Sequence, residues 1–241
     1  METSGNYKNK ITVITPTIRE RKGGLDLVCK ALEEQTFTDF DWLVGSPTTP
    51  HTWATWIPDT YRGGLYTLNR VYNDLFRKSD CELIVSWQDF TYAGKNTLKR
   101  FWQHYQYDSK MLVSALGHKY TDDSWNNQNW KDLRVGGVCG PAFIEWNLCS
   151  CPKKGIVDAG GFDEDLDFLF YGMGEYQLDH RLEEMGYSFY CDEKIESYSL
   201  GHGRVPDWDK KNGMGSGQGE PYQKRRNELK SRNQWPVIGK L

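Results

Sequence analysis

The sequence predicts an α/β protein built on an open, mainly parallel sheet with helices packed on its faces. Two observations carry that prediction. Short apolar or β-branched runs recur at 11–15, 42–44, 83–87 and 111–115, each of the length and character of a strand buried on both faces. Between them the apolar residues fall at helical spacing, first Leu25, Val28, Cys29 and Leu32, then Leu65, Leu68, Val71, Tyr72, Leu75 and Phe76. Strands that alternate with amphipathic helices need crossover connections, and crossovers make parallel sheets.

Taken in order, the run Ile11-Thr-Val-Ile-Thr15 is a strand stopped by Pro16, which cannot donate to a ladder. A helix follows over 24–35. Trp42-Leu-Val44 is a second strand, ended by Gly45-Ser-Pro47. A helix over 65–76 leads to the third strand, Leu83-Ile-Val-Ser-Trp87. The pattern then gives a helix over 96–105 and a strand over 111–115. The polar stretch 121–131, with Trp125 and Trp130, reads as a loop. A strand over 138–146 and a short helix over 153–159 precede the turn Gly160-Gly161-Phe162. The helix over 173–185 ends at Gly186, a residue suited to the left-handed cap. A closing strand follows over 187–191. Residues 213–219 have the composition of a flexible linker, and 223–232 that of a charged helix. The chain has no internal repeat.

At 241 residues the chain suits one domain with an extension, divided here as 1–203 and 204–241. The extension has nine Lys and Arg against four Asp and Glu, a balance of +5 that leaves −8 on the rest of a chain of net charge −3. It is too poor in apolar residues to build its own core and is expected to fold over the site as a lid or acceptor contact. Its cations Arg204, Lys224, Arg225 and Arg226 would suit a polyphosphate. Ten Trp and fourteen Tyr serve packing or stacking on flat ligands. The six cysteines include no C-x-x-C pair, and free thiols in a cytoplasmic protein are the simpler expectation. No apolar run reaches the roughly eighteen residues of a membrane span, and residues 1–10 lack a signal-peptide core. No integral membrane contact is expected.

Open α/β sheets bind ligands at the carboxyl ends of their strands. After the first strand come Thr15, Pro16 and Thr17 and the basic loop from Arg19; after the third come Gln88 and Asp89. A strand-end carboxylate can hold Mg²⁺ or Mn²⁺ against a diphosphate.

The order of several short motifs is more specific. They are Ile11-Thr-Val-Ile-Thr-Pro-Thr17, Leu32-Glu-Glu-Gln-Thr-Phe37, Phe40-Asp-Trp-Leu-Val44, Gly64-Leu-Tyr-Thr-Leu-Asn69, Leu83-Ile-Val-Ser-Trp-Gln-Asp89, Gly160-Gly-Phe-Asp-Glu164, Gly174-Glu175, Arg181-Leu182 and Gly201-His202. Over about residues 11–203 this series resembles family 2 of the GT-A glycosyltransferases, in a compact form like that of bacteriophage enzymes. The resemblance implies a Rossmann-like nucleotide-sugar-binding fold. It also implies an inverting transfer of a sugar, a hexose first, from a nucleoside-diphosphate sugar, a UDP-sugar first, to an acceptor hydroxyl. It places Asp89 and His202 on Mn²⁺ or Mg²⁺. Thr15, Pro16, Thr17, Arg19, Asn69, Gln88 and Asp89 fall on the donor. Asp163 and Glu164 fall on the acceptor side, where Trp125 and Trp130 can also stack. Glu175 becomes the catalytic base, with Asp179 as the alternative; at i and i+4 they share a helix face. Three features depart from the family pattern. Gly45-Ser46 stands where an Asp usually meets the base, Gln88 fills a position that is often acidic, and Tyr176 replaces an Asp. The acceptor is a glycan or, since the extension is basic, DNA carrying a hydroxymethylated base. A non-catalytic sugar- or nucleotide-binding module is the third possibility.

Overall fold

The computed structural model describes residues 8–17, 23–59, 68–168, 174–200, 219–239 and 241. The strands are β1 (Asn9–Pro16), β2 (Phe40–Ser46), β3 (Thr55–Pro58), β4 (Cys81–Trp87), β5 (Thr91–Ala93), β6 (Met111–Tyr120), β7 (Gln128–Trp130), β8 (Gly137–Val138), β9 (Leu148–Pro152) and β10 (Ser188–Leu200). They form one sheet in the order β3-β2-β1-β4-β9-β6-β10-β5, with β7 on β6 and β8 on β10. The flank β3-β2-β1-β4 is parallel throughout, as is the pair β6–β10. Strand β9 runs antiparallel between β4 and β6. The helices are α1 (Gly24–Glu33), α2 (Leu68–Lys78), α3 (Thr97–Tyr107), α4 (Lys153–Ala159), α5 (Asp165–Phe168), α6 (Gly174–Glu184) and α7 (Gly219–Ser231).

The predicted α/β class is the observed one, and its physical reason lies in the central strands. Ile11, Val13, Leu83 and Val85 enter the core on the α1 and α3 face, while Ile14, Ile84 and Cys149 enter the core on the α2, α4 and α6 face. Burial on both faces makes these strands read as continuous apolar runs. The helix α2 is amphipathic for the same reason: Val71, Tyr72, Leu75 and Phe76 are buried, at the helical spacing that predicted them.

One predicted strand is displaced. Of residues 138–146 only Val138, in the two-residue β8, is strand: Pro141–Phe143 is a single 3-10 turn entered from Gly140, because proline removes a ladder donor and fits the first turn of a helix. The buried strand is β9, whose Leu-Cys-Ser-Cys-Pro sequence hides two apolar thiols, Cys149 and Cys151. All six cysteines are free. The loop expected over 121–131 contains the short β7, the closing strand β10 is longer than 187–191, and β3 and β5 carry no sequence signal.

The basic extension is divided. Residues 213–218 of the expected linker lie outside the described residues, as does Arg204. The helix expected over 223–232 is α7, and it packs on the body. Leu229 is buried, the Ile238 amide donates to the Ala159 carbonyl at 3.2 Å, and Leu241 joins the core beside α2 and α4. Glu184 at the end of α6 accepts from Arg226 and from the Trp235 indole (2.8 Å), and Arg226 also lies over the Trp235 ring. Arg225 and Arg226 are thus committed to ion pairs inside the fold, which corrects their expected role toward a polyphosphate.

Candidate active site

The carboxyl ends of β1 and β4 lie side by side because the two strands pair in parallel. The Thr17 hydroxyl, just past β1, donates to Asp89 Oδ2 at 2.9 Å, just past β4. The Thr17 amide donates to the Gly45 carbonyl of β2 at 2.9 Å. Pro16 is the buried last residue of β1. The Gln88 amide donates to the Asn147 carbonyl at 2.9 Å, continuing the β4–β9 ladder by one residue. Thr17, Gln88 and Asp89 are thereby gathered at one end of the sheet.

Thr15 is a different case. It has no exposed surface. Its hydroxyl accepts from the Trp42 indole at 2.9 Å and donates to the Trp87 carbonyl at 2.6 Å, so it ties β2, β1 and β4 together. Asn69 is also fully buried. Its amide and side-chain nitrogen both donate to Asp167 Oδ1, at 3.0 and 2.9 Å, while the Arg70 amide donates to Asp167 Oδ2 at 3.1 Å. Asp167, reaching from α5, therefore caps α2 at the end where helix amides have no partner of their own. Burial pushes its carboxyl up to about 6, against those hydrogen bonds, which pull it down. In place of the donor contacts expected of them, Thr15 and Asn69 hold the scaffold.

The turn Gly160-Gly161-Phe162 suits its glycines, both of which take left-handed backbone (φ 80 and 74). Four acidic residues follow it and bind three helices, Asp165 through Arg225 of α7. Asp167 caps α2. Glu164 accepts from Asn73 at 2.9 Å and from Arg77 at 3.2 Å. Asp163, with no exposed surface, accepts from Arg225 of α7 at 2.7 and 3.0 Å and from Gln177 of α6 at 3.2 Å. An Asp163 enclosed in this way has no face for an acceptor, which corrects the expected role, and Glu164 is bonded to α2. The buried guanidinium of Arg181 completes the turn by donating to the Ala159 carbonyl at 2.6 Å and to that of Gly161.

Helix α6 presents the two candidate bases, and the structure separates them. Asp179 is fully buried, and both of its oxygens accept from the Trp146 indole at 3.1 and 3.2 Å. Burial holds its carboxyl well above the usual range; the Trp146 hydrogen bond opposes this and the nearby Glu175 adds to it. Glu175, in the first turn of α6, is half-buried. Its Oε2 is sequestered and has no hydrogen-bond partner among the described residues. Burial pushes the Glu175 carboxyl up to about 7, with its own backbone amide acting the other way. Its charge acts on Tyr72 of α2, on Asp179 and on Cys149 of β9.

Tyr72, Ser86 and Trp146 carry no sequence signal beyond that of core residues, yet they connect Glu175 to the end of β4. Ser86 donates to the Trp146 carbonyl at 2.5 Å and lies 3.0 Å from the Tyr72 hydroxyl. With the serine proton used, the tyrosine is the donor of that pair. The Gln88 side chain reaches the same tyrosine oxygen.

Trp130 on β7 is half exposed, with the Lys119 ammonium 5.2 Å from its ring. Trp125 stacks on Tyr92 within a cluster that includes Tyr120 and Tyr198. Arg19 and His202 lie outside the described residues.

The oxygen donors at the end of β4 suit a hard divalent cation. Among the described residues no three His, Cys, Asp or Glu side chains form a cage. A cation that bridges a diphosphate needs only one or two carboxylates, because phosphate and water oxygens fill the other positions. Asp89 meets that requirement.

The fold is that of GT-A glycosyltransferases. It is similar to the mannosyltransferase PcManGT from Pyrobaculum calidifontis, solved with GDP-Man and Mn²⁺, at a TM-score of 0.62 and 18% identity, over 83% of this chain and 59% of that one. It is also similar to GalNAc-T7, solved with UDP, GalNAc and Mn²⁺, at a TM-score of 0.64 and 8% identity, over 81% of this chain and 44% of that one. The chain thus spans about half the length of these structures. No family model matches the sequence, and no curated protein does.

The packing of α6 on α2 gives a test of the site's frame. A Cβ on Gly174 would lie 1.7 Å from Asn69 Oδ1, and Asn69 is pinned by Asp167. Gly174→Ala should therefore destabilise the protein by about 1–3 kcal/mol, as overpacking does, although alanine is the better helix former. The denaturant midpoint measures this. An unchanged midpoint would show that the two helices part freely.

Proposed function

We propose that this chain is a metal-dependent, inverting glycosyltransferase that moves a sugar, a hexose first, from a nucleoside-diphosphate sugar to an acceptor hydroxyl. The observation that carries the reading is Glu175. A carboxylate at a helix start, with a sequestered oxygen that has no hydrogen-bond partner among the described residues, supports a role in accepting a proton. The neighbours, one solved with GDP-Man and the other with UDP and GalNAc, both with Mn²⁺, support the same class.

In this reading Asp89 holds Mn²⁺ or Mg²⁺, with His202 proposed as a second ligand by resemblance. A cation held there would supply charge stabilisation for the departing diphosphate. Thr17 fixes Asp89, and Gln88, beside it at the end of β4, is proposed to contact the donor. Pro16 and Arg19 are proposed to line the donor site. Glu175 takes the proton of the acceptor hydroxyl as that oxygen bonds to the anomeric carbon. The bond from that carbon to the diphosphate breaks, and the nucleoside diphosphate leaves with its electron pair. A single displacement of this kind inverts the anomeric centre. Asp179 is too enclosed to reach an acceptor. Trp130 is proposed as a stacking surface for an acceptor sugar. A glycan acceptor is favoured over DNA because Arg225 and Arg226 are spent inside the fold.

Thermal shift with UDP and GDP, each with and without Mn²⁺, tests the proposal. A ligand that binds only the native state raises the melting temperature, and a rise that needs both nucleotide and metal is expected. The absence of any nucleotide- and metal-dependent shift would overturn it. Nucleotide binding without metal-dependent donor hydrolysis would leave a binding module.

A further inference from the structure

We infer that Arg225 of α7 is a positioning residue for Glu175, acting through Asp163 and Gln177; this rests on the reading of Glu175 as the base. The route is short and buried. The guanidinium meets Asp163 with two nitrogens, Nε to Oδ2 at 2.7 Å and Nη2 to Oδ1 at 3.0 Å, and Nη2 also bonds Asp165 Oδ2 at 2.5 Å. The Arg225 side chain is 11% exposed and that of Asp163 0%. A two-pronged pair of this kind fixes direction as well as distance. Asp163 Oδ2 accepts in turn from Gln177 Nε2 at 3.2 Å, and Gln177 is two residues from Glu175 on the first turns of α6.

The pair fixes a direction. A guanidinium that grips a buried carboxylate with two nitrogens holds it in one orientation, and without Arg225 the Asp163 carboxylate is free to turn, which loosens its hold on Gln177. The start of α6 is then free to rotate, and Glu175 leaves the sequestered position beside Tyr72, Asp179 and Cys149. The remaining contacts of the segment, Leu229 in the core and Trp235 on Glu184, keep α7 docked. The effect of losing Arg225 is therefore local. A C-terminal segment 50 residues from Glu175 in sequence becomes part of the catalytic frame.

The test combines two readouts on the full chain. First, melting temperatures of wild type, Glu175→Gln, Arg225→Lys and the double variant are compared between pH 5 and 9. Neutralising Glu175 should raise the melting temperature above pH 7 while Arg225 is in place. That gain should fall by at least about half in the Arg225→Lys background, because a rehydrated carboxylate returns toward its ordinary pKa. An equal gain in both backgrounds overturns the inference. This readout needs no substrate, so it stands even if the transferase reading fails. Second, Arg225→Ala should lower kcat on the order of 10²-fold, as remote misplacements do, with donor KM nearly unchanged. Millimolar guanidinium should restore part of it. A rise in donor KM at constant kcat would place Arg225 on the donor and overturn the inference.

Discussion

Asp89→Asn will abolish sugar transfer while the protein stays folded. Asp89 stands one residue beyond Gln88 at the end of β4, and its Oδ2 accepts from the Thr17 hydroxyl. An asparagine oxygen can keep that hydrogen bond, so the tie between the ends of β1 and β4 survives. What is lost is the negative charge. A neutral amide binds a hard divalent cation poorly, and the charge stabilisation of a leaving diphosphate amounts to several kcal/mol. At 1.36 kcal/mol per tenfold in rate, the loss is on the order of 10³-fold or more. Titration of Mn²⁺ by calorimetry or by its paramagnetic resonance separates binding from catalysis, and the variant should bind Mn²⁺ weakly with and without UDP. Near wild-type turnover in added Mn²⁺ would show that the metal is held elsewhere.

The frame of this site was legible where the physics is local. Strands β1, β2, β4 and β6 announce themselves because they are buried on both faces, and α2 because one face is. The order of the motifs at 15–17, 88–89 and 174–175 placed the strand ends and the start of α6. What escaped is long-range. Asp163 in its Gly-Gly-Phe-Asp setting looks like a ligand residue. The chain gives no local sign that an arginine 62 residues later closes on it. Tyr72 and Ser86 match a core helix and a core strand, and only the fold shows that they meet across α2 and β4. The misplaced strand at 138–146 shows the opposite error. Apolar content suggested a strand, but the ladder needs amide donors that Pro141 lacks. Cysteine and serine in β9 supplied the buried strand instead.

Glu175→Gln should lower the chemical step by a factor on the order of 10² to 10⁴, the usual contribution of a positioned base. Donor affinity should hardly change, since the carboxylate faces the acceptor in the proposed mechanism. The pH dependence is the sharper test. With its carboxyl pushed up to about 7, the wild-type residue is largely protonated at pH 6 and cannot accept a proton. Transfer should therefore rise with pH through about 7 and then level, and the glutamine variant should lack that step. Stability should move the other way. The folded state holds this proton more tightly than the unfolded chain, so the group's contribution is most favourable below its unfolded value near 4.5. That contribution is lost as pH rises toward 7. Above pH 7 the glutamine variant should be the more stable protein, by roughly 1–3 kcal/mol, with the difference vanishing at pH 4. Asp179→Asn is the control, because its partner is the Trp146 indole and its carboxyl has no route to an acceptor. It should retain the pH step. A variant at 179 that loses transfer while Glu175→Gln keeps it would exchange the two roles.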